Sequence, residues 1–539
     1  MGIHKIYLGI LFYFCSTLCV WASDDRLDII PYPNEVHIIG GQCDLSKGIY
    51  TSDKGILSHQ LYDYFQQDFD IPKHKNGVHV LFVLSSEKTN EEGYELHIDA
   101  DRIRIVAPSR KGHFYGLQTL RQLVSDNKLP CVHIVDAPRF AWRAFMLDEA
   151  RHFHGKETVK RLLDEMAALK MNTFHWHLTD DAGWRIEIKK YPLLTTIGSR
   201  RDSTQIEDPD LQIPGETGDP AYDAFLRRYY SNKFDGKPHQ GYYSQDDIRE
   251  IIAYAGERCI QIIPEISMPG HASAAIAAYP WLGTADTLIE VPVRFGVMFN
   301  VFDPSSPRVV QFLKDVLKEV GALFPAPYIH IGGDEVKHNQ WEASPRIAQY
   351  MKANHLTNYK DVQVKFTNEI SDFVEHKLGK SIMGWSEILG VNSHAWQTDK
   401  GQSTQSLSKN AVVQFWTGNK DILKFALDNH YKVVNSYHED TYLNYSYEQL
   451  PLKRSYAFRV VPDGYDDSSV IGLGCQLWTE WISDRALIEY HTFPRIAAYA
   501  ELGWTRDDNK SYDRFIENLK SLRLRWERKG YNFPKIEFN

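Results

Sequence analysis

After residue 139 the sequence repeats a strand, a loop and a helix, and this alternation constrains the fold more than any other feature. Eight short apolar runs have the character of buried strands: residues 143–148, 172–178, 259–266, 328–332, 380–385, 411–416, 432–437 and 470–478. Amphipathic segments of helical periodicity separate several of them: residues 156–170, 245–257, 360–378 and 419–429. Apolar strands that alternate with helices indicate parallel strands covered by helices. Eight such units in roughly 350 residues predict an α/β fold, a (β/α)8 TIM barrel with insertions.

The residues before the barrel follow a different pattern. Strand-like alternation occurs in residues 76–84, 93–98 and 102–107, and a helix-like segment follows at 113–124. Asp136-Ala137-Pro138 marks the boundary, since a residue before proline disfavours helix. We therefore predict an N-terminal α+β accessory domain over residues 23–138. The barrel, with a C-terminal helical segment, is expected over residues 139–539.

Residues 1–22 have the features of a signal peptide. A positively charged start that includes Lys5 is followed by the almost wholly apolar stretch 6–21 and by small residues up to Ala22. This stretch is short for a membrane span, and no other segment is apolar throughout the length that a span needs. We expect an exported protein, periplasmic, at the cell surface or secreted, without a membrane span in its mature chain.

Charge and cysteine usage narrow the possible partners. The net charge is −9 and no basic run occurs, which argues against nucleic acid as a partner. The four cysteines beyond the predicted signal peptide, Cys43, Cys131, Cys259 and Cys475, are too widely spaced for a disulfide framework or a zinc motif. The sequence leaves the oligomeric state open.

Residues 328–336, YIHIGGDEV, place two acids at the end of a predicted strand. Gly332 and Gly333 allow the backbone to turn sharply there, and Asp334 and Glu335 follow. In barrels of this type the chemistry lies at the C-terminal ends of the strands. Mutual repulsion and low-dielectric walls push the pKa values of two such acids apart, so that one can hold a proton while the other stays charged. General acid–base chemistry on an acetal needs a pair of this kind.

The other strand ends carry a consistent set of polar and aromatic residues. In strand order they are Arg151 and His152; His175, His177, Asp180 and Asp181; Glu265 and His271; Trp385 and Glu387; Trp416; Tyr442 and Asn444; and Trp478 and Glu480. Aromatic side chains beside a few acids and one arginine describe an apolar-walled pocket with a small number of polar contacts.

His175-Trp176-His177 permits two interpretations. Residues i and i+2 of a strand face the same side, so the two histidines could bind a metal in an amidohydrolase-type barrel. That chemistry also needs histidines on the fifth and sixth strands, which contain none. We therefore favour hydrogen-bonded core histidines beneath the site.

Several long segments together resemble the β-N-acetylhexosaminidases of glycoside hydrolase family 20. They are FYGLQTLRQL, MLDEARHF, NTFHWHLTDDAGWRIEIKKYP, PHQGYYSQDDIREIIAYAGERCIQIIPEISMPGHA, HIGGDEV, GWSEIL and LWTEW, in the family's order, and the resemblance spans about residues 25–505. It implies an N-terminal α+β domain, a catalytic barrel, and hydrolysis of terminal non-reducing β-linked GlcNAc or GalNAc from glycans with retention of configuration. It implies neither a metal nor an organic cofactor.

The resemblance also implies a mechanism. Glu335 would be the general acid/base, and Asp334 would orient and stabilise the substrate's own 2-acetamido group. The carbonyl oxygen of that group attacks the anomeric carbon, so the intermediate is an oxazolinium ion and not a glycosyl-enzyme ester. This is the substrate-assisted exception to the two-carboxylate scheme.

The family's binding residues map onto the strand ends. Trp385, Trp416 and Trp478 would form the walls of the N-acetyl pocket, and Tyr442 would donate a hydrogen bond to the acetamide.

The resemblance further implies that Arg151 and Glu480 bind sugar hydroxyls from opposite sides. Asp180 and His271 would surround Glu335 without touching the substrate.

Two positions depart from the family. Ser267 and Asn444 stand where many members have aspartate. An asparagine cannot accept charge-assisted hydrogen bonds from hydroxyls as a carboxylate does. Hydroxyl recognition and the preferred sugar are therefore open. The long polar segment 199–240 is a lid, a binding loop or a disordered insertion.

Three other functions remain as alternatives. The first is a retaining glycosidase with a protein carboxylate nucleophile such as Glu480. The second is a metal-dependent amidohydrolase-type barrel. The third is a catalytically silent sugar-binding protein, against which the intact Asp334 and Glu335 argue.

Overall fold

The computed structural model describes residues 27–86, 90–212, 220–394 and 401–535. The predicted signal peptide lies outside the described residues, as does part of the 199–240 segment. Among the described helices, none combines the length and the apolar character that crossing a bilayer requires.

The N-terminal part forms a six-stranded mixed sheet. Its strands are Glu35–Asp44, Ile49–Tyr50, Val78–Leu84, Tyr94–Ile98, Arg102–Ala107 and Lys128–Asp136. Two helices, Ile56–Phe69 and Arg110–Gln122, accompany the sheet, and the second packs on its central strands. Strand Tyr94–Ile98 shows the two faces clearly, since its first, third and fifth residues are buried and the two between them are partly exposed.

The predicted elements of this domain are confirmed within three residues at each end, and the helix predicted at 113–124 begins earlier, at Arg110. The Ser109 side chain explains that start, because it accepts hydrogen bonds from the backbone N–H groups of Lys111 and Gly112. Two long strands are not apparent from the sequence pattern: the edge strand Glu35–Asp44 and its neighbour Lys128–Asp136. They pair with each other although they are far apart in the chain.

The second part is a closed barrel of eight parallel strands, as predicted. The strands are Trp142–Asp148, Thr173–Asp180, Gln261–Ile266, Tyr328–His330, Ser381–Trp385, Val412–Phe415, Lys432–Asn435 and Gly472–Leu477. Each pairs with the next in chain order, and the last pairs with the first, which closes the ring. All strand ends differ from the predicted ends by two residues or fewer. Because the strands are parallel, their C-terminal ends share one rim.

Helices surround the barrel. Those of the barrel part are Lys156–Ala168, Leu193–Thr196, Pro220–Tyr229, Gln245–Glu257, Ser273–Ala278, Pro307–Leu323, Asn339–Glu342, Pro345–Ala353, Tyr359–Leu378, Lys420–Asp428, His438–Thr441, Leu452–Tyr456, Arg485–Thr492, Arg495–Trp504 and Tyr512–Arg528. The four predicted helices are confirmed. Helix Gln245–Glu257 begins where Ser244 and Asp247 form a reciprocal capping box.

A buried ion pair joins the two parts. Lys170 Nζ, in the barrel, donates to the Tyr94 hydroxyl at 2.9 Å and to Asp136 Oδ2 at 3.2 Å, both in the accessory domain. Trp504 Nε1 donates to the same Asp136 oxygen at 2.8 Å. Lys170 and Asp136 side chains have no exposed surface, so each depends on the other for charge compensation.

Candidate active site

The turn after the fourth barrel strand brings two acids to the rim of the barrel. Gly332 and Gly333 adopt left-handed conformations, with φ of 67° and 85°, and Glu335 follows with φ of 51°. A Cβ at Gly333 would lie 2.4 Å from Ile388 Cγ2, so glycine is the residue that fits there. Glu335 has no such freedom, and its left-handed backbone is strain of the kind that recurs at functional sites. The predicted tight turn and acid pair are therefore present.

His271 lies against both acids. Its Nε2 is 3.4 Å from Asp334 Oδ2 and 3.6 Å from Glu335 Oε2. On the other side, its Nδ1 is 3.1 Å from Asp181 Oδ2 and 3.4 Å from Asp180 Oδ2. Burial alone would lower the pKa of His271, but Asp180 and Asp334 outweigh it and raise the pKa well above the ordinary value. His271 is therefore an imidazolium at neutral pH.

That imidazolium decides the ionisation of Glu335. Burial raises the pKa of the Glu335 carboxyl, but the hydrogen bond and the charge of His271 outweigh burial, and the pKa lies below the ordinary value. Repulsion between the paired acids predicts that the pKa of one of them is raised, so that it keeps a proton. The pKa of Glu335 is instead lowered. The physical reason is a cation between the acids that sequence spacing does not show.

Asp180 connects His271 to a buried arginine. Arg151 Nη2 is 2.9 Å from Asp180 Oδ2, and Arg151 Nη1 is 3.3 Å from Asp148 Oδ2. The Asp180 pKa is far below its usual range: burial opposes this, but Arg151 and His271 prevail. Arg151 Nη1 also lies 4.0 Å from Glu480 Oε1, so the structure brings together the two residues expected to bind sugar hydroxyls.

Four predicted aromatic residues form one cluster. Trp385, Tyr442 and Trp478 are buried together, and Trp416 packs against them. The Trp416 and Tyr442 rings are parallel within 2°, with centroids 5.9 Å apart. Tyr442 and Trp478 are also 5.9 Å apart and enclose a tilt of 55°. Met146, on the first strand, completes the cluster; an apolar residue inside an apolar strand gave no signal of this role.

A fully buried carboxylate lies beneath this aromatic pocket. Glu265 Oε1 accepts a hydrogen bond from Trp385 Nε1 at 2.8 Å. His175 Nε2 and His177 Nδ1 each lie 2.8 Å from Glu265 Oε2, and His330 Nδ1 lies 3.3 Å from Oε1. This arrangement agrees with the interpretation of His175 and His177 as core residues beneath the site. Burial lowers the pKa of His177, but Glu265 raises it to about 10, so His177 is the charged partner of Glu265.

A second acid–histidine contact flanks the pocket. Glu387 Oε2 accepts from Trp416 Nε1 at 2.9 Å, and Glu387 Oε1 is 2.7 Å from His394 Nε2. Burial lowers the pKa of His394, but the hydrogen bond to Glu387 and the charges of Glu387 and Glu335 raise it overall. His394 lies well beyond the end of the fifth predicted strand, in an irregular loop, so the strand-end pattern gives no signal for it.

The two departures from the family have different surroundings. Ser267 is buried, donates its hydroxyl to the Thr179 carbonyl at 2.9 Å and donates its backbone N–H to the Thr179 hydroxyl. It therefore ties the third strand to the second. Asn444 is half-buried, and its Oδ1 is buried without a hydrogen-bond partner among the described residues. Its neighbours Tyr442 and Tyr445 both belong to the aromatic cluster.

The described part of the 199–240 segment is held at its base. Arg200–Arg201 pairs with His239–Gln240 as a two-stranded ribbon. The segment also packs toward the eighth strand, since Arg201 lies over the Phe295 ring and Phe295 contacts Trp481 at 5.3 Å between centroids. A wholly disordered insertion is therefore wrong for these residues, and a binding loop or a lid remains.

Two family models match the chain. The catalytic domain of glycosyl hydrolase family 20 matches residues 140–507, and domain 2 of the same family matches residues 26–137. The chain therefore belongs to glycosyl hydrolase family 20.

Similar proteins support this assignment. A β-hexosaminidase of Porphyromonas gingivalis is 34% identical over 82% of this chain and 54% of its own length. A β-hexosaminidase of Vibrio furnissii is also 34% identical, over 88% of this chain and 76% of its own length. The chain thus spans about half of the first relative. The structure of a family 20 exo-β-N-acetylglucosaminidase from Vibrio harveyi, with N-acetylglucosamine, has a TM-score of 0.78 at 31% identity and covers 94% of this chain and 78% of that one.

We predict that His271→Gln raises the pKa of Glu335. The substitution removes the largest of the contributions that hold this pKa down, so that burial is opposed mainly by the weaker effects of His394 and Arg151. In the pH profile of kcat/KM on a chromogenic glycoside, the limb that reports Glu335 moves to higher pH. His59→Gln, at an exposed helical position of the accessory domain, is the control and keeps the wild-type profile. An unchanged profile in His271→Gln contradicts the assigned coupling.

Proposed function

We propose that this protein is an exo-acting β-N-acetylhexosaminidase that releases terminal β-linked GlcNAc or GalNAc from glycans with retention of configuration. One observation carries the proposal: a closed aromatic cluster at the same rim as the acid pair Asp334 and Glu335. An aromatic pocket of this kind suits the flat, methyl-bearing acetamide group of an N-acetylated sugar. The relatives named β-hexosaminidase support the same activity.

In this mechanism the acetamide group of the substrate is the nucleophile. The group is held in one orientation by the walls Trp385, Trp416 and Trp478. Tyr442 donates a hydrogen bond from its hydroxyl to the acetamide oxygen. Asp334 accepts a hydrogen bond from the amide N–H and stabilises the positive charge that develops as the oxazolinium ion forms. Fixing the attacking oxygen next to the anomeric carbon removes most of the entropy cost of the step.

Glu335 is the acid in the first step and the base in the second. In the free enzyme its pKa is low because His271 is charged. Bound sugar displaces water from Glu335, which strengthens the desolvation that raises its pKa. Glu335 then protonates the leaving oxygen and afterwards takes a proton from the water that opens the oxazolinium. His271, held by Asp180 and Asp181, keeps the carboxylate in place throughout.

A protein nucleophile is the second candidate mechanism, and Glu480 is its best representative. Burial raises the pKa of Glu480, although Arg151 opposes the rise. A carboxyl with a raised pKa is less often ionised and is a poorer nucleophile. The contact with Arg151 instead fits a residue that orients sugar hydroxyls.

The decisive experiment is a hydrolysis panel. Chromogenic β-GlcNAc, β-GalNAc and β-glucoside substrates are compared, each with and without a chelator. We expect turnover of the N-acetylated substrates only, and no effect of the chelator. Turnover of the glucoside would favour the protein nucleophile, loss of turnover with chelator would favour a metal-dependent barrel, and no turnover at all would favour a silent sugar-binding protein.

We predict that Glu335→Gln lowers kcat/KM on a natural disaccharide by about 10²–10⁴-fold or more, because a positioned general acid contributes that much when the leaving group needs a proton. The loss is smaller on an aryl glycoside with a good leaving group. Glu342→Gln, at an exposed position on the next short helix, is the matched control. Near-normal turnover of the disaccharide by Glu335→Gln would overturn the assignment.

We predict that Asp334→Asn lowers turnover by roughly 10²–10³-fold, the usual loss when one preorganised electrostatic contact is removed, and leaves the fold intact. A thiazoline mimic of the oxazolinium should bind wild type at least about 10²-fold more tightly than GlcNAc. Asp372→Asn, on the exposed side of helix Tyr359–Leu378, is the control. If the mimic binds no better than GlcNAc, substrate assistance is the wrong mechanism.

We predict that position 444 contributes to sugar preference. Asn444 has a buried amide oxygen that can accept from a sugar hydroxyl but carries no charge. A neutral amide there loosens the demand for a plain hydroxyl at O4 or O6, which favours tolerance of an axial O4. It also carries no charge that would repel a sulfate, as a carboxylate would. Asn444→Asp should therefore lower kcat/KM for GalNAc or 6-sulfated GlcNAc relative to GlcNAc, with Asn76→Asp as an exposed control. An unchanged ratio points to the 199–240 segment instead.

Export remains part of the proposal. The residues that suggest it, 1–22, are those of the predicted signal peptide. Mass spectrometry of the protein from its native cell should find an N-terminus close to Ser23. An intact Met1 would contradict export by this route.

A further inference from the structure

The outer face of the accessory-domain sheet carries a row of histidines beside a glutamate. We propose that this face holds a divalent transition-metal ion, zinc in the first place, on Glu95, His97 and His133, with His37 within reach as a further ligand. The resemblance to family 20 and the proposed hydrolysis do not require such a site, so its proposed role is to clamp the two strands that carry Glu95, His97 and His133, and a third strand where His37 also binds.

Backbone register places the four side chains on one face. Glu95 and His97 are two residues apart on strand Tyr94–Ile98, so both point away from its buried side. His133 pairs directly with His97, and His37 pairs directly with His133 on the next strand. Directly paired residues have Cβ atoms about 4.5–5.5 Å apart. The sheet therefore aligns three imidazoles across three strands, with a carboxylate beside the first.

The side chains converge on one point. Glu95 Oε2 is 3.1 Å from His97 Nε2 and 3.7 Å from His133 Nε2. One ligand atom from each of these residues lies within 4.8 Å of the others. Tetrahedral zinc with bonds near 2.0–2.1 Å sets neighbouring ligand atoms about 3.3–3.5 Å apart. The two measured distances bracket that value, so small rotations of the side chains suffice to enclose an ion.

The chemistry of the three residues also fits a metal. A neutral imidazole is the form that binds metal. The Nε2 atom of His133 is buried and has no hydrogen-bond partner among the described residues. Two or three imidazoles with one carboxylate favour zinc and similar ions over calcium or magnesium, which prefer oxygen ligands.

The charges near the proposed site determine how strongly it is expected to bind zinc. Arg104 pairs with His97 from the adjacent strand, and its positive charge opposes a second cation. Glu95 supplies the compensating negative charge. The side chains of Glu95, His97 and His133 are 30%, 23% and 32% exposed, which leaves an entry path but admits solvent. We therefore expect reversible binding, weaker than that of a closed structural zinc site.

The test must separate this site from other groups of possible ligands. His271 with Asp334 and Glu335, His175 with Glu265 and His330, and His271 with Asp180 and Asp181 also bring three ligand atoms together. Substitution of the accessory-domain residues alone makes the distinction, since they belong to none of these groups.

The experiment is a calorimetric titration of chelator-cleared protein with zinc chloride. Wild type should bind one more equivalent of zinc than the double variant His97→Gln/His133→Gln. Each single variant should weaken that binding by more than about 10-fold, since even the hydrogen-bond partner of a ligand contributes 10–100-fold. His59→Gln removes an exposed histidine of the same domain outside the cluster and should titrate as wild type does.

Three further measurements keep the result unambiguous. Zinc should raise the unfolding temperature of wild type and of His59→Gln but not, or less, that of the double variant. X-ray absorption of wild type with one equivalent of zinc should show at least two imidazole ligands. Hydrolysis of a chromogenic β-GlcNAc should be equal in all variants, which shows that they are folded. Equal zinc stoichiometry in wild type and double variant, or no binding by wild type, would show that His97 and His133 are only a stacked pair beside Glu95 and would overturn the proposal.

Discussion

The rest of the site depends on the ion pairs that one buried carboxylate, that of Asp180, makes with three basic side chains. Its Oδ2 lies 2.9 Å from Arg151, 3.2 Å from His177 and 3.4 Å from His271. These partners come from three different places in the chain: the end of the first strand, the second strand, and the loop after the third. Burying any one of these cations without a partner costs several kcal/mol. Each of these cations also has a second carboxylate partner, so Asp180 is the shared centre that holds the three segments together at the barrel rim.

This charge arrangement also bears on the proposed role of Glu335 as the acid, because it leaves Glu335 without a proton in the empty site. His271 remains charged because Asp180, Asp181 and Asp334 surround it, and its charge keeps Glu335 ionised in the empty site. An ionised glutamate is a poor acid, so in the proposed mechanism the free enzyme is not set for the first step. Sugar binding would remove the remaining water from Glu335 and leave the surrounding charges in place, which would raise its pKa only when a glycosidic oxygen is present to receive the proton.

The apolar periodicity of the sequence predicted the barrel strands, and the strand ends predicted many residues of the site. Both predictions have a physical reason. Parallel strands are buried on both sides, so they read as apolar runs, and closure of the barrel brings their C-terminal ends together whatever the sequence distance. The sequence alone was therefore enough to place Trp385, Trp416, Tyr442 and Trp478 in one pocket. Residues without such a signal could not be placed: His394 lies in a polar loop. The alignment of His37, His97 and His133 depends on strand register, which the sequence pattern did not determine.

The aromatic pocket and the acid pair are also joined from below. Glu265 accepts from Trp385, the pocket wall, and lies 2.8 Å from His177, which lies 3.2 Å from Asp180. Buried charges that are paired at such short distances resist displacement, because an unpaired buried charge is far more costly than a small apolar gap. Trp385 and His271 are therefore fixed relative to each other. In the proposed mechanism, the same buried carboxylates align attack by the acetamide with proton transfer to the leaving oxygen.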